Sequence, residues 1–538
     1  MRKSLSLTGT LGMLVALMFS TVGCNSNDTK PDTYTKDKKL IVSIRNLYLS
    51  DYDAADPYLS ELEEQFGIKF NLTKYSWDKW GSEVTSSING KNLPDVFHAD
   101  VDSYNFGFQY KFWAQHQITK PLPTDLSPWP YLKESIENAT NVDALKVNGK
   151  LYGIPVAKNT TDYSTTYSPF TYIYRRDWAK EVGAYQENDE YTWKQFEDLL
   201  EAFRIKFADS SRSPLGDVKW GYPSIINFYK QVPHCFAFDS TANKYVCNYT
   251  TDEYITGLQK AKSFKSKGWY NSAQNEANEN TMTQKYYGNQ LGVLYENLSL
   301  SNYLKIRTGL AEANTSFSEA EIDDAAAIMK IKSPVDNKYA LEGTDNWFSM
   351  TLFDYRISDK KMNLILDVLN WLLSPEGTKF SVYGDEGIDY VMDGDEVKLI
   401  ERSWPKDDKG KYADKQNAGK YIRYLASLGN DNLVIDPLTD KHALSILDNW
   451  DAEMKTALAN GTLRVLQENE EVMWLATTRK ARHSNKMLDD ALANVMDFIY
   501  NTNGITTVDK FKAAFKLTDA RSTWYLVLKE INDKLGYR

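Results

Sequence analysis

The side chains of this sequence that are capable of chemistry do not fall into a catalytic or metal-binding pattern. The five histidines lie at positions 98, 116, 234, 442 and 483, and no two of them have the spacing of a metal-binding pair. The sequence contains no H-E-x-x-H, G-x-S-x-G, P-loop or dinucleotide-binding motif. Acid pairs such as Asp385 and Glu386 could serve a glycoside hydrolase, but neighbouring acids in loops are usually solvated. We therefore expect no catalytic residue, no metal and no cofactor.

The composition limits the class of protein. A chain of 538 residues with 42% hydrophobic and 25% charged residues is an ordinary globular chain of two or more domains. Its formal charge of −10 argues against nucleic-acid binding, which needs clustered Lys and Arg. The sequence is rich in Tyr (35) and Trp (14), which serve either ordinary packing or a wide aromatic-lined binding site.

The polar residues that follow a short apolar run near position 97 are the first candidates for a site. The preceding pattern predicts strands over residues 40–44, 68–73 and 95–97, alternating with helices over 57–66 and 77–88. This βαβαβ order predicts a parallel sheet covered by helices on both faces. Ligands bind beyond the carboxyl ends of such strands, which makes His98, Asp100 and Asp102 candidates by position.

Further helices carry clear local signals. Thr192 and Gln195 form a capping-box pattern ahead of a predicted helix over residues 193–207. A second helix is predicted over 359–373, after which Ser374 caps another helix that starts at Pro375. From Ala443 onward the pattern is mostly helical.

The first 24 residues have the features of an export signal. Arg2 and Lys3 precede a mostly apolar stretch over residues 5–19, and small residues lead to Cys24. The segment T-V-G-C at 21–24 resembles a bacterial lipobox, whose cysteine is acylated and becomes the mature N-terminus. The alternative is an ordinary cleaved signal peptide. Residues 25–39 are polar and charged, and we expect a flexible tether there.

Two other cysteines remain, Cys235 and Cys247. Export implies an oxidising compartment, so they can form a disulfide that closes a hairpin, or stay as two buried thiols.

Five motifs, in order along the chain, together resemble the extracellular solute-binding proteins of ABC importers, in the family 1 type that mostly binds sugars. They are NLPDVFHAD at 92–100, VNGKLYGIPV at 147–156, YIYRRDWAKEVG at 172–183 with TWKQFEDLLEAF at 192–203, YYGNQLGVLYEN at 286–297, and LNWLLSPEGTKFSVYGDEGIDY at 369–390. The last is similar to large oligosaccharide-binding lipoproteins of Firmicutes. In the second motif, Asn148-Gly149 predicts a turn and Pro155 marks the point where a hinge strand leaves the sheet.

The resemblance implies an α/β fold of two lobes joined by hinge strands, the type II periplasmic-binding-protein fold, with a largely helical C-terminal part. We expect a signal peptide over 1–23 and a lipid-anchored flexible tether over 24–39. Lobe 1 is then formed by 40–157 and about 330–400, and lobe 2 by 158–329 and about 401–538.

The resemblance also implies a ligand cleft between the lobes, where aromatic rings cover sugar faces and polar groups satisfy hydroxyls. The expected cleft residues are His98, Asp100, Asp102, Lys158, Asn159, Tyr163, Trp220, Tyr222, Tyr295, Glu296, Asn297, Trp347, Arg356, Tyr383, Glu386 and Asp389. For each of these aromatic and acidic residues, plain packing or a solvated role is the alternative. The family's calcium-binding loop is not expected, because residues 208–223 lack the run of carboxylates that it needs.

The function implied is that of a lipid-anchored, extracellular, monomeric subunit that delivers an oligosaccharide to an ABC permease, in a Gram-positive bacterium. Two alternatives stay open: a secreted polysaccharide-active enzyme, and a solute sensor for a membrane kinase.

Overall fold

The structure is a computed structural model. It describes residues 29–47, 56–76, 79–99, 101, 107–157, 170–207, 212–217, 224–233, 235–272, 281–343, 345–394, 396–400, 425–428, 441–467, 472 and 484–537.

Within these ranges the chain forms seventeen strands and sixteen α-helices. The strands are β1 Leu40–Asn46, β2 Ile68–Lys74, β3 Val96–Ala99, β4 Gly153–Ala157, β5 Phe170–Tyr174, β6 Glu190–Tyr191, β7 Ser213–Asp217, β8 Phe236–Asp239, β9 Lys244–Cys247, β10 Tyr270–Ser272, β11 Leu291–Asn297, β12 Ala327–Ile331, β13 Tyr339–Glu342, β14 Trp347–Phe353, β15 Tyr390–Asp393, β16 Glu396–Leu399 and β17 Leu463–Leu466. The helices are α1 Pro57–Phe66, α2 Trp80–Asn89, α3 Gly107–Gln115, α4 Pro130–Glu137, α5 Arg176–Glu181, α6 Trp193–Lys206, α7 Asp252–Ser266, α8 Thr281–Tyr287, α9 Leu300–Ala313, α10 Glu319–Ala325, α11 Asp359–Leu372, α12 Pro375–Tyr383, α13 Lys441–Ala459, α14 Ser484–Tyr500, α15 Val508–Ala514 and α16 Thr523–Leu535.

The first sheet contains the predicted βαβαβ unit. Its order is β2-β1-β3-β14-β4, with β1 parallel to β2 and β3, which confirms the parallel arrangement. β14 comes from much later in the chain and inserts between β3 and β4, antiparallel to both. The chain therefore leaves this lobe after β4 and returns to it with β14.

The second sheet is built almost entirely from the segment between these two strands. Its order is β10-β7-β11-β5-β12-β6. β7 is parallel to β10 and β11, whereas β5 is antiparallel to β11 and β12. The structure is thus a two-lobe α/β fold, as expected.

The register of both sheets shows which edges the chain connects. In the first sheet Ala157, the end of β4, lies opposite Trp347, the start of β14. In the second sheet Asn297, the end of β11, lies opposite Phe170, the start of β5. The chain therefore connects these two edges twice, first between Ala157 and Phe170 and again between Ile331 and Trp347. We call them the first edge and the second edge.

Each sheet has its own hydrophobic core on both faces. Leu59, Leu62 and Leu366 pack on one side of the first sheet, and Tyr110 and Trp113 on the other. The second sheet is covered on one side by α6, α7 and the C-terminal helices α14 to α16, and on the other by α8, α9 and α13.

Two segments bear on the expected domain bounds, which stay a prediction. Leu425, Ala426 and Leu428 are buried in the core of the first sheet, and the Thr351 hydroxyl donates to the Leu428 carbonyl at 2.7 Å. β13 instead packs with the second lobe, through Leu341.

The helix starts predicted from local signals are confirmed. The Asp56 side chain accepts the Leu59 N–H at 3.0 Å to cap α1, and Thr192 forms a capping box with Gln195 at α6. Ser374 caps α12, with Pro375 at its first position. α2 begins at Trp80, three residues later than predicted.

The turn at Asn148-Gly149 is confirmed as a two-residue hairpin turn. Both residues have positive φ, 51° and 74°, and Val147 and Lys150 exchange backbone hydrogen bonds of 2.8 and 3.1 Å. Pro155 lies in β4, which forms the outer strand of the first sheet, the position in a sheet where a residue without an N–H is tolerated.

The part of the expected tether that the structure describes, residues 29–39, contacts the first lobe. The Ile41 N–H donates to the Thr33 carbonyl at 2.9 Å, and the Lys30 ammonium lies 2.7 Å from the Asp354 carboxylate, whose side chain is 2% exposed. These contacts join the N-terminal segment to the side of the sheet where β14 ends, away from the first edge.

Cys235 and Cys247 are both buried and form no disulfide. They flank the β8–β9 hairpin, in which Phe236 lies opposite Cys247. Burial raises the pKa of the Cys247 thiol well above its usual range. Of the two alternatives, this structure holds the pair of buried thiols.

Candidate functional site

An aromatic cluster lies at the second edge. It consists of Phe170, Tyr172, Phe228 and Tyr295, with ring centroids 4.9 Å apart for Tyr172 and Tyr295 and 5.8 Å apart for Phe170 and Tyr295. The register places these rings together because Tyr295 lies opposite Tyr172 on adjacent antiparallel strands. The cluster borders a small cavity of ≈ 20 Å³, close to the volume that one water molecule requires.

Asn227 brings an amide into this aromatic cluster. The side chain is 5% exposed, and its Nδ2 donates to the Tyr295 hydroxyl at 3.2 Å. Within the part of the chain that the structure describes, the Asn227 Oδ1 has no hydrogen-bond donor. Burial raises the pKa of Tyr295 well above its usual range, which keeps the phenol neutral.

A buried carboxyl lies next to the cluster, at the end of β7. Asp217 is opposite Tyr295 and accepts hydrogen bonds from the Ser224 N–H (2.8 Å), the Ser224 hydroxyl (2.7 Å) and the Tyr270 hydroxyl (2.9 Å). Burial nevertheless raises the pKa of Asp217 to about 6. Asp217 thereby fixes the start of the 224–228 helical turn, which carries Asn227 and Phe228.

Glu296 and Asn297 continue from Tyr295 to the end of β11, and both are half-buried. The Glu296 carboxylate accepts the Thr283 hydroxyl at 3.1 Å and the Asn297 N–H at 2.8 Å. The Asn297 Oδ1 accepts the Ser299 N–H at 2.8 Å, and burial raises the pKa of Glu296. The structure therefore brings these predicted residues together with Tyr295 at the second edge.

His98 lies at the first edge but inside the lobe. Its ring is 1% exposed, with Nε2 at 2.5 Å from the Ser349 Oγ and the Trp80 ring 5.2 Å away. Burial lowers the pKa of His98 to about 3, so the ring is neutral. This arrangement makes His98 a packing residue beneath the edge.

Trp347 is also buried inside the first lobe. It is 2% exposed, and its Nε1 donates to the Thr140 carbonyl at 2.9 Å. The bond fixes the first residue of β14 to the segment after α4.

The predicted residues of the YGDEGIDY loop lie at the N-terminal end of α1. In the chain, this end of α1 follows the end of β1 that lies at the first edge. The Asp389 carboxylate accepts the Tyr58 hydroxyl at 2.8 Å and the Asp385 N–H at 2.8 Å. Tyr383 and Asp389 are buried, whereas Glu386 is exposed. Burial, followed by the negative charges of Asp385 and Asp389, raises the pKa of Glu61.

Arg356 does not join the other candidates. It follows β14 at the side of the first sheet away from the first edge, and its Nε and Nη2 donate to the two oxygens of Asp354 at 3.0 and 2.8 Å. β14 runs antiparallel to β3, which carries the chain away from the first edge before it reaches Arg356.

The remaining candidates, Asp100, Asp102, Lys158, Asn159, Tyr163, Trp220 and Tyr222, lie outside the described residues, as does Cys24. The residues that sequence reasoning missed are Tyr172, Asp217, Asn227 and Phe228. Tyr172 stands in a quoted motif, and Asp217 ends an apolar run, so both carried a signal. Asn227 carried none, because its position depends on the fold.

The described residues contain no group of three or more His, Cys, Asp or Glu side chains that could hold a metal ion. None of the helices in these ranges has the length and apolar character needed to cross a bilayer.

The comparisons with known proteins agree with the fold. Residues 58–291 match the family model of bacterial extracellular solute-binding proteins. None of the curated protein sequences compared with the chain matches it. The family match over residues 58–291 and the shared two-lobe fold agree with the resemblance: this part of the chain is similar to bacterial extracellular solute-binding proteins.

Solved structures share this architecture over nearly the whole chain. The alginate-binding protein AlgQ2, solved without calcium, is 16% identical, with a TM-score of 0.62 over 94% of this chain and 99% of its own. FusA, an ABC-transporter substrate-binding protein of S. pneumoniae in complex with kestose, is 16% identical, with a TM-score of 0.62 over 92% and 99%. NgtS of S. pneumoniae in complex with Man5GlcNAc is 16% identical, with a TM-score of 0.53 over 92% and 97%.

Proposed function

We propose that this protein is the substrate-binding component of an ABC importer and captures an oligosaccharide between its two lobes. The observation that carries the proposal is the double passage of the chain between the first and second edges. The same two connections therefore join the strand ends of the first lobe, at the first edge, to the strand ends of the second lobe, at the second edge. A ligand that contacts both lobes favours the closed arrangement by its differential affinity for that state.

The chemistry of the second edge supports a sugar. Phe170, Glu296 and Asn297 are half-buried at this edge, so one aromatic ring can cover a C–H face of a sugar and two polar side chains can pair with its hydroxyls. The similar structures of FusA and NgtS were solved in complex with kestose and Man5GlcNAc, which are both oligosaccharides.

A binding screen tests this proposal directly. The panel should contain kestose, longer fructans, Man5GlcNAc, malto-oligosaccharides and alginate oligosaccharides, with peptides and metal chelates as other classes. A ligand at 100-fold excess over its Kd stabilises the folded chain by about 2.7 kcal/mol, which shifts its thermal unfolding. The proposal predicts a shift with at least one glycan and none with peptides. A shift only with peptides or chelates would contradict it.

The proposal includes binding without turnover. Three acids lie near the first edge: Asp385, Glu386 and Asp389. The Asp389 carboxylate is buried and accepts two hydrogen bonds, so its role is structural. Incubation of the protein with each glycan that binds, followed by chromatography, should return the glycan intact. Turnover that a single Asp or Glu substitution abolishes would support the polysaccharide-active enzyme instead.

We also propose that the protein is anchored outside the cell through acylated Cys24, acts as a monomer beside its permease, and belongs to a Gram-positive bacterium. The lipobox-like segment at 21–24 supports the anchor. Metabolic labelling with an alkyne fatty acid, compared between the native chain and Cys24→Ala, measures acylation. A permease operon beside the coding sequence distinguishes transport from sensing by a membrane kinase.

A further inference from the structure

The small cavity of ≈ 20 Å³ beside the aromatic cluster lies where the second sheet meets β13 and α13. Its volume is larger than the roughly 10–15 Å³ that a site for one water molecule requires. The apolar part of its wall includes Met329, Ile331, Leu341 and Met454, each of which is at most 7% exposed. The cavity therefore has room for one small group and is walled mainly by buried side chains.

The Asn227 amide borders this cavity with one polar atom unpaired. The residue is 5% exposed, and its Nδ2 donates to the Tyr295 hydroxyl at 3.2 Å. Its Oδ1 has no hydrogen-bond donor within the part of the chain that the structure describes. A half-turn of the amide would place the N–H₂ group there instead, and that group would require an acceptor just as the oxygen requires a donor. Because a buried polar atom without a partner is costly, the cavity requires a polar group in either orientation.

Two phenols bring further polar groups to the cavity. The Tyr295 hydroxyl accepts the Asn227 N–H, so its own hydrogen is left to donate, and the contacts of the described residues give this hydrogen no acceptor. Tyr172 lies opposite Tyr295 on the adjacent strand, is 4% exposed and borders the same cavity. Burial raises the pKa of both phenols well above their usual range, so both keep their hydrogen.

We propose that the cavity is a site for one ordered water molecule, which donates a hydrogen bond to the Asn227 Oδ1 and accepts one from the Tyr295 hydroxyl. The group in this site must both donate and accept. A cation would satisfy only the amide oxygen and an anion only the phenol hydrogen, whereas water satisfies both. Cavities that stay dry are lined by apolar groups alone, which is not the case here.

The water gives the second edge an amide of fixed orientation. With its oxygen held by the water, Asn227 directs its N–H₂ group at Tyr295, and this bond joins the 224–228 helical turn to β11. The site belongs to the ligand-free second lobe and does not depend on the proposed oligosaccharide binding. A chain that binds no glycan would defeat the proposed function and leave the water site intact.

A high-resolution crystal structure of the native, ligand-free protein tests the site without any substitution. We expect a single solvent peak within hydrogen-bonding distance of both the Asn227 Oδ1 and the Tyr295 hydroxyl oxygen. Electron density without that peak would overturn the proposal. So would a side chain from outside the described residues in the same place.

Nuclear Overhauser transfer from water to methionine methyl groups tests the site in solution. Met329 and Met454 line the cavity, whereas Met487, which is 3% exposed in α14 of the same lobe, does not. In protein labelled with carbon-13 at the methionine methyls, we expect a water cross-peak to Met329 or Met454 and none to Met487. A native protein that gives neither of the first two cross-peaks would contradict the water site.

Two matched substitutions then assign the cross-peak to the amide. Asn227→Leu removes both polar atoms of the amide with little change in volume, and should weaken the cross-peak about tenfold or more, the factor for one lost hydrogen bond. Thr283→Val is the control, because Thr283 is 5% exposed at the same edge and its hydroxyl donates to Glu296 outside the cavity. If Asn227→Leu does not fold, the crystal structure and the native cross-peaks still decide. A cross-peak that survives Asn227→Leu, or that both variants lose, would overturn the proposal.

Discussion

Asp217 shows how burial of a single carboxyl links the second edge to pH. Its pKa is raised to about 6 by burial, above the ordinary value of 3.8, although three donors surround it. A raised pKa means that the folded state binds this proton more tightly than the unfolded chain does. The resulting stability is fully present below about pH 4 and is lost as pH rises through about 6.

The corresponding prediction uses Asp217→Asn, which cannot ionise. We expect the free energy of unfolding of the native protein to fall, relative to that of the variant, by about 3 kcal/mol between pH 4 and pH 7. Urea unfolding at a series of pH values measures the free energy of unfolding of the native protein and of Asp217→Asn. The control Asp198→Asn, at an exposed carboxylate on α6, should not show this pH dependence. Parallel curves for the native protein and Asp217→Asn would contradict the prediction.

The phenol of Tyr295 is the only acceptor that the described contacts give to the Asn227 Nδ2. Tyr295→Phe keeps the ring packing against Phe170 and Tyr172 but leaves that buried N–H without its acceptor. The loss should lower the free energy of unfolding by about 1–3 kcal/mol. Tyr131→Phe, at a tyrosine that is 40% exposed, is the control and should be nearly neutral. Equal effects of the two substitutions would show that the Asn227 bond adds no stability.

At the scale of elements, the YGDEGIDY loop depends on one glycine more than on its neighbour. Gly384 and Gly387 both have positive φ, 83° and 82°. A Cβ on Gly384 would lie 2.4 Å from the Asp389 carboxylate and 2.6 Å from the Tyr58 hydroxyl oxygen, whereas nothing lies within 4 Å of one on Gly387. Gly387→Ala should cost about 1–2 kcal/mol of stability from the backbone alone. Gly384→Ala should cost about 1–3 kcal/mol more, because it also overpacks the loop. Denaturant unfolding measures both, and equal costs would contradict the difference.

Residues 29–39 of the N-terminal segment, where a flexible tether is expected, contact the first lobe. Lys30 contacts Asp354 at 2.7 Å, Asp95 at 3.7 Å and the Leu93 carbonyl at 2.6 Å. Lys30→Met should therefore raise amide exchange over residues 31–41 by at least threefold, since it leaves buried carboxylates without one of their cations. Lys36→Met, at an exposed lysine of the same segment, should leave that exchange unchanged. Fast amide exchange over residues 31–41 in the native protein would support the flexible tether instead.

The elements that could be predicted from sequence are those with local signals. Asp56 before α1 and Ser374 before α12 are helix caps, and each is recognisable from residues no more than three positions away. The insertion of β14 between β3 and β4, and the pairing of β13 with β17, depend on segments more than a hundred residues apart, which periodicity does not encode. The site divides in the same way. Tyr295 lies in a recognisable motif, whereas Asn227 comes next to it only through the fold. The position of Arg356 depends on the direction of β14, which the sequence pattern does not encode.

At the scale of the whole molecule, the two sheets have separate cores joined by narrow connections. The first core is formed by residues up to Ile154, by β14 and α11, and by residues 425–428, while the second contains residues 172–331 and the C-terminal helices. Because few buried contacts connect separate cores, each lobe should unfold as its own cooperative unit. Differential scanning calorimetry of the ligand-free protein should then show two transitions.

Two of the substitutions above assign those transitions. Gly384→Ala lies in the first lobe and Tyr295→Phe in the second, so each should lower the Tm of a different transition and leave the other in place. A glycan that bridges the lobes should raise both, because it binds only when both are folded. A single transition that both substitutions lower would show that the lobes are energetically one unit. A glycan that raises only the transition lowered by Tyr295→Phe would place its site wholly on the second lobe.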